Sequence, residues 1–367
     1  MPEDIQDYAS LFLAGTPLLD VRAPTEFERG AFPHATNLPL LDNDERHRIG
    51  ICYKQNGQQA AIDLGHQLVS GAIKRQRLMA WAQWKQQHPG GLLYCFRGGL
   101  RSRTVQQWLA AEGVDIALVS GGYKALRRFL FEYFDQHIQQ VELAVLCGRT
   151  GCGKTRVIEA LDNAIDLEGL AHHRGSAFGR RPGGQPAQID FENRLAIDLL
   201  RHQHAGKGRL VLEDESKLIG RCLVPLPLQA RLRVGDRVII EESLESRVQV
   251  TLDDYVVGPL SEYGRYYGEA EAFELLAGEL TDALGRIRRR LGGDRYQALL
   301  TAMQAALDTQ RRSGDPGDHA SWIAPLLRDY YDPMYDYMLS RREGNVLFSG
   351  SRAQVLAFLD QPQATSE

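Results

Sequence analysis

The chain has 367 residues, with 43 lysines and arginines against 47 aspartates and glutamates. That length accommodates two or three domains with real cores, and a net charge of −4 exerts no global pull on nucleic acid, so any such contact must come from a local basic patch. Five cysteines without metal spacing argue against a disulfide framework and for free thiols in a reducing cytoplasm; the acidic, polar start MPEDIQDYAS does not read as a signal peptide, and no apolar run approaches the roughly 18 residues of a membrane span.

In chain order, residues 17–22 form the first strand signal, followed by a turn around Gly30 and Pro33. Residues 41–90 read as mostly helical and carry Trp81 and Trp84. Residues 91–95 form a short buried strand, after which Ser102 is a candidate cap for a helix to Ala111, with Gly113 just past its end. Residues 116–119 are another strand, closed by Gly121 and Gly122. This alternation implies a parallel α/β sheet. Leu126, Phe129, Leu130, Phe134 and Ile138 then recur at helical spacing.

A fresh strand at 142–147 enters a glycine-rich loop, and strands follow at 209–215 and 237–240. Beyond about residue 260 the pattern is largely helical, until a strand-like piece at 345–348 that can return to the sheet. The tail after Gln361 is expected to fray. The expected organisation is α/β throughout: a first domain over 1–135, a second over 140–260, and a mainly helical region over 261–367 packed on the second.

Two motifs carry chemistry. The first is Tyr94-Cys95-Phe96-Arg97-Gly98-Gly99-Leu100-Arg101-Ser102. A thiol reacts as its thiolate. A loop between a strand and a helix N-terminus can turn its amides toward the sulfur, with help from the helix dipole. Arg97 and Arg101 add fixed positive charge for an oxyanion. The plain alternative is an inert buried cysteine at a strand end.

The second motif is Gly148-Arg149-Thr150-Gly151-Cys152-Gly153-Lys154-Thr155. It matches the Walker A pattern in full, between a predicted strand and a predicted helix. Its amides would cradle a pyrophosphate, Lys154 would neutralise it, and the Thr155 hydroxyl would reach Mg²⁺. Asp214, or Glu213 beside it, is the candidate to hold that ion through water; both also read as solvated acids before a turn. The loop specifies a di- or triphosphate and no more. ATP is the default occupant, and an alkyl diphosphate fits the same cradle.

Weaker signals are the basic loop at 176–186, the tyrosine-rich run at 330–337 and the arginine run at 286–290. Each has a bland reading: a connector, a core helix and a solvated face. His172, His173, His202 and His204 lack the partners of a metal site and read as surface residues.

Residues 19–22 (Leu-Asp-Val-Arg), with Glu26, Phe27, Gly30 and Pro33, the Cys95 loop, and the Gly121-Gly122-Tyr123 turn together resemble the rhodanese family over roughly residues 5–135. The resemblance implies that Cys95 carries a chalcogen atom, as a persulfide or its selenium analogue. Two departures are the segment 30–35 and an extended stretch from Asp42 to His66, which suggests a special substrate.

A rhodanese-like domain followed by a P-loop domain is similar to the bacterial tRNA 2-selenouridine synthase family. The strings Cys52-Tyr53-Lys54-Gln55, Leu212-Glu213-Asp214-Glu215-Ser216 and Tyr330-Tyr331-Asp332-Pro333-Met334-Tyr335 extend the similarity nearly end to end. It implies conversion of 2-thiouridine to 2-selenouridine at the wobble uridine of the tRNAs for Lys, Glu and Gln. The co-substrates it implies are geranyl diphosphate and selenophosphate, with an S-geranyl intermediate, and it admits a selenophosphate-supplying enzyme as partner. An ATP-dependent tRNA sulfurtransferase and a non-catalytic P-loop binding module stay open beside it.

Overall fold

The computed structural model describes residues 4–361; the expected fraying beyond Gln361 lies outside them. These residues fall into two compact units. One runs to Gln136 and also includes Ala187–Arg201; the other comprises His137–Pro186 and the chain from His202 on.

In the first unit, three parallel strands lie in the order Ala35–Asn37, Leu18–Asp20, Leu92–Tyr94. The latter two strands are buried at every position, as expected of a parallel sheet covered on both faces. The expected strand at 116–119 is reduced to single bridges, Leu118 to Leu93 and Val119 to Ile5. The chain turns immediately afterwards to start the helix Gly122–His137, leaving two residues to pair.

Helices Asn43–Leu68, Gly71–Gln87 and Leu100–Ala111 complete this unit's main elements. The first breaks at Gly57, whose φ of 85° is outside helical space. Trp81 and Trp84 join Leu19, Val21, Leu93 and Leu109 in the core, and the Trp81 indole donates to the Leu38 carbonyl at 2.9 Å. Ser102 does not cap the helix as expected. Gly99 is the first flanking residue, and the Ser102 hydroxyl inside the first turn donates back to the Gly99 carbonyl at 3.0 Å.

Asp20 and Arg22, both fully buried, pair at 2.6 Å, and Arg22 also donates to the Gly30 carbonyl at 2.8 Å and lies 3.8 Å from the Tyr123 ring centre. A buried guanidinium is tolerable only with its donors satisfied, so this pair ties the first strand to the Gly30 turn.

An unexpected contributor comes from later in the chain. Within helix Gln188–His204, Asp190 accepts the Ala31 amide at 2.6 Å and Asn193 donates to the Ala31 carbonyl at 2.7 Å. Arg127 donates to Asn193 at 3.0 Å and pairs with Glu192.

The second unit holds a four-stranded parallel sheet in the order Leu210–Glu213, Leu143–Gly148, Asp236–Ile240, Val346–Gly350. The strand-like piece near 345 therefore does return to the sheet. Helices Glu269–Leu291, Gly293–Ser313 and Ala320–Leu326 close a separate apolar core around Leu280, Leu284, Met303 and Trp322. Two π-helical turns interrupt the helical region, Asp253–Val257 and Leu327–Tyr331; such turns recur at functional sites.

Candidate active sites

Cys95 follows the strand Leu92–Tyr94 and precedes the helix Leu100–Ala111, the context its motif requires. Its sulfur is buried and lies 3.3 Å from the Ser102 hydroxyl. The Gly121–Gly122 turn sits directly against the loop. Gly122 has φ +58°, and a Cβ there would collide with the Cys95 carbonyl and the Gly98 amide. The Tyr123 and Lys124 amides donate to the carbonyls of Cys95 and Phe96 at 2.9 and 3.0 Å. The distant glycine pair is therefore part of the loop's construction.

The two loop arginines have different fates. Arg101 makes a bidentate pair with Glu26 at 2.6 and 3.2 Å. Burial works against the charge of Glu26, but the Arg101 guanidinium beside it holds its pKa below the ordinary value. Arg97 has no ion-pair partner among the described residues and lines the same cavity as Cys95. That cavity has a volume of about 540 Å³. Its wall includes Ile49, Tyr53, Ile62, His66 and Val69 from or just after the extended segment noted in the sequence.

In the second unit, the Walker loop connects the strand Leu143–Gly148 to the helix Lys154–Ala160. Gly151, at φ +81°, has no room for a side chain: a Cβ would lie 2.7 Å from the Arg247 carbonyl oxygen and collide with the Thr251 hydroxyl. Lys154 donates to the Gly148 carbonyl at 3.2 Å. Burial disfavours its ammonium, yet Cys152, Glu168, Glu213 and Glu215 around it hold its pKa above the ordinary value.

The Thr155 hydroxyl lies 3.4 Å from Glu213 and 3.5 Å from Glu168. One Glu213 oxygen, Oε2, is buried with no hydrogen-bond partner among the described residues. Burial and the neighbouring acids raise the Glu213 and Glu168 carboxyls, and push Glu215 up to about 8. Asp214 also lines the cavity, but its carboxylate is engaged: it pairs with Arg342 and accepts the Cys147 thiol at 3.6 Å. The structure thus brings Glu213, rather than Asp214, to Thr155.

The rest of the wall includes Tyr255, Tyr330, Tyr331, Met334, Tyr335 and Met338, beside the charged Arg174, Asp214, Glu215, Asp254 and Arg290. The cavity is about 390 Å³. The two π-helical turns supply Tyr255, Tyr330 and Tyr331. Among the described residues, no group of three His, Cys, Asp or Glu side chains is arranged to hold a metal by itself.

The pattern described as the tRNA 2-selenouridine synthase AAA domain matches residues 141–366. A curated protein of Alcanivorax borkumensis named tRNA 2-selenouridine synthase is 63% identical over 360 residues, covering 98% of this chain and 99% of that protein. The chain belongs to the tRNA 2-selenouridine synthase family. Proteins of the same name from Pseudomonas fluorescens and Marinobacter nauticus are 54% and 52% identical, covering 98% and 95% of this chain and 99% and 95% of those proteins.

The family's tyrosine-rich string has two jobs in this structure. Its tyrosines line the cavity, where the plain sequence reading was a core helix. Its Asp332 pairs with buried Arg247 at 2.5 and 3.0 Å, and Arg247 donates to the Thr150 carbonyl at 3.0 Å, which braces the Walker loop from behind. Arg247 and Glu168 escaped sequence reasoning, because a lone arginine or glutamate on a helix carries no motif. Arg290 belongs to the arginine run read as a solvated face, and it reaches the cavity.

The loop at 176–186 is more than a connector. Phe178 stacks on Trp322 with ring centres 5.7 Å apart, and Ser176 donates to the Tyr255 hydroxyl at 3.0 Å. The surface reading of two histidines is corrected: His173 and His202 are buried, and burial, with nearby arginines, pushes His173 down to about 4. Cys152 packs inside the Walker loop against Gly148.

Proposed function

We propose that the chain converts 2-thiouridine to 2-selenouridine at the wobble position (U34) of the tRNAs for lysine, glutamate and glutamine. The route runs through S-geranyl-2-thiouridine and uses geranyl diphosphate and selenophosphate, in the cytoplasm where tRNA works. The observation that carries this reading is the composition of the Walker cavity. A lysine–threonine phosphate cradle is walled by tyrosine and methionine, which suits a diphosphate attached to a hydrocarbon.

In the first step the thiocarbonyl sulfur attacks C1 of the geranyl group. The C–O bond breaks, pyrophosphate leaves, and N3 loses its proton. Lys154, held charged by the acids around it, stabilises the charge that develops on the departing oxygens. The donor set fits Mg²⁺, which takes one or two carboxylates and keeps waters and phosphate oxygens. Thr155 and Glu213, with its unpartnered buried oxygen, would hold the ion, which would supply further neutralisation of the pyrophosphate.

In the second step selenium of selenophosphate attacks C2. The C2–S bond breaks, geranylthiolate leaves and takes up a proton, and water then cleaves the P–Se bond to release phosphate. Alkylation matters because it turns a poor leaving group into a neutral thiol. Cys95 handles selenium beside C2, and Arg97, with no acid of its own, receives the donor's oxyanion.

The test is mass spectrometry of nucleosides from 2-thiouridine tRNA incubated with the protein, Mg²⁺ and geranyl diphosphate, with and without selenophosphate and without ATP. A geranylated nucleoside that converts to 2-selenouridine is the expected result. No change until ATP is added would overturn it in favour of an ATP-dependent sulfurtransferase.

A further inference from the structure

We infer that the apolar cavity beside Cys95 is the binding site for the alkyl chain of the S-alkylated tRNA base, a second hydrocarbon site separate from the Walker cavity. This inference rests on the two-step reading above and assigns the alkyl site for its second step.

The argument begins with size and lining. A small selenium- or sulfur-bearing oxyanion needs a few amides and a cation. The cavity beside Cys95 is about 540 Å³, within the usual 300–1,000 Å³ of organic-ligand sites. Its lining outside the reactive loop is mostly hydrocarbon, with Leu41, Ile49, Ile62, Val69 and Trp108 beside the polar Gln58, His66 and Thr104. Cys95, Arg97 and Arg101 supply the polar, reactive part of the same lining. An amphiphile with a polar reacting head and an apolar tail matches that division.

Connectivity adds a second constraint. The leaving sulfur is bonded to the carbon under attack, and the alkyl chain is bonded to that sulfur. Wherever selenium at Cys95 meets C2, the first carbon of the chain is two bonds away. A ten-carbon chain starting there has to be housed or exposed to water, and hydrocarbon moves out of water favourably. The wall is supplied largely by the helix Asn43–Leu68 and the residue that follows it. Tyr53, 57% exposed, stands at the rim, where an aromatic face suits an unstacked base.

The experiment supplies synthetic anticodon stem-loops carrying S-geranyl- or S-methyl-2-thiouridine, with selenophosphate, to the protein and to Ile62→Trp, which narrows the cavity. Wild type is expected to convert the S-geranyl substrate at least about tenfold more efficiently than the S-methyl one, through a lower KM. Ile62→Trp is expected to erase that preference while geranylating 2-thiouridine tRNA at the wild-type rate, since that step uses the Walker cavity. Ile49→Asp, at a half-buried residue of the cavity lining outside the Cys95 loop, repeats the comparison and covers the case in which Ile62→Trp does not fold.

Equal handling of the two substrates by wild type, or an unchanged preference in both variants, overturns the inference and leaves the two-step reading standing. Selenation of 2-thiouridine without any alkyl donor would instead overturn the two-step reading itself.

Discussion

The two cavities are built on opposite principles. The one at Lys154 sets an ammonium among Glu168, Glu213 and Glu215, carboxyls that burial and neighbouring acids push upward, so its polar end is crowded with ionisable groups before any ligand arrives. The one at Cys95 has a sulfur at its floor, one arginine committed to Glu26 and another without a partner, and hydrocarbon elsewhere. The first suits a ligand with several negative charges and a helper cation. The second suits a small anion meeting an apolar group. A glycine-rich turn after a parallel strand is common to both, so the difference in chemistry lies in what the surrounding helices contribute.

The sharpest way to break this comparison is to disable each loop in turn. Cys95→Ala is expected to abolish 2-selenouridine formation while S-geranyl-2-thiouridine still accumulates, read by nucleoside mass spectrometry; equal loss of both products in a folded variant would contradict the division. Lys154→Ala is expected to slow geranylation by roughly 10²–10³-fold, yet to leave selenation of a pre-geranylated stem-loop near normal.

A loss of stability, rather than of one activity, is expected behind the Walker loop. Asp332→Ala leaves the buried Arg247 guanidinium unpaired, which costs about 3–5 kcal/mol in comparable cases. Thermal melts should show the loss, and added geranyl diphosphate should recover part of it.

A dependence of stability on pH is also expected. Burial and then Glu168 raise the Glu215 carboxyl to about 8, above its value in an unfolded chain. The folded state therefore holds a proton that the unfolded state releases. The stability this contributes is present at low pH and is lost as pH rises from about 4.5 toward 8. Melting temperature of the ligand-free protein should fall across that window. Glu215→Gln should flatten the slope, and Mg²⁺ with a diphosphate should do the same by neutralising the cluster. A slope unchanged in Glu215→Gln would assign the effect to another group.

Much of this was legible because strand–loop–helix junctions leave local traces. Cys95 and Lys154 each follow an apolar run and sit among glycines, so the short-range pattern carries the site. The extended stretch from Asp42 also stood out by its length. Features set by long-range pairing left no such trace. Glu26 claims Arg101 across 75 residues, and nothing in either side chain's neighbours announces it. Asp214 and Glu213 alternate on one strand end, and only the three-dimensional position of Thr155 chooses between them. His173 looked like a surface residue because a His-His-Arg string is polar, while its burial depends on how the following loop packs.

The attachment of residues 187–201 to the first unit bears on how the protein is made. Domains fold as units, amino-terminal first, during synthesis at about 5–20 residues per second. Here the Ala31 backbone waits for Asp190 and Asn193, which emerge only after the Walker strand and its helix. On the ribosome the cysteine-bearing unit stays unfinished while the phosphate-binding segment is already out, and a gene cut between residues 136 and 137 would yield a first fragment lacking one of its own helices.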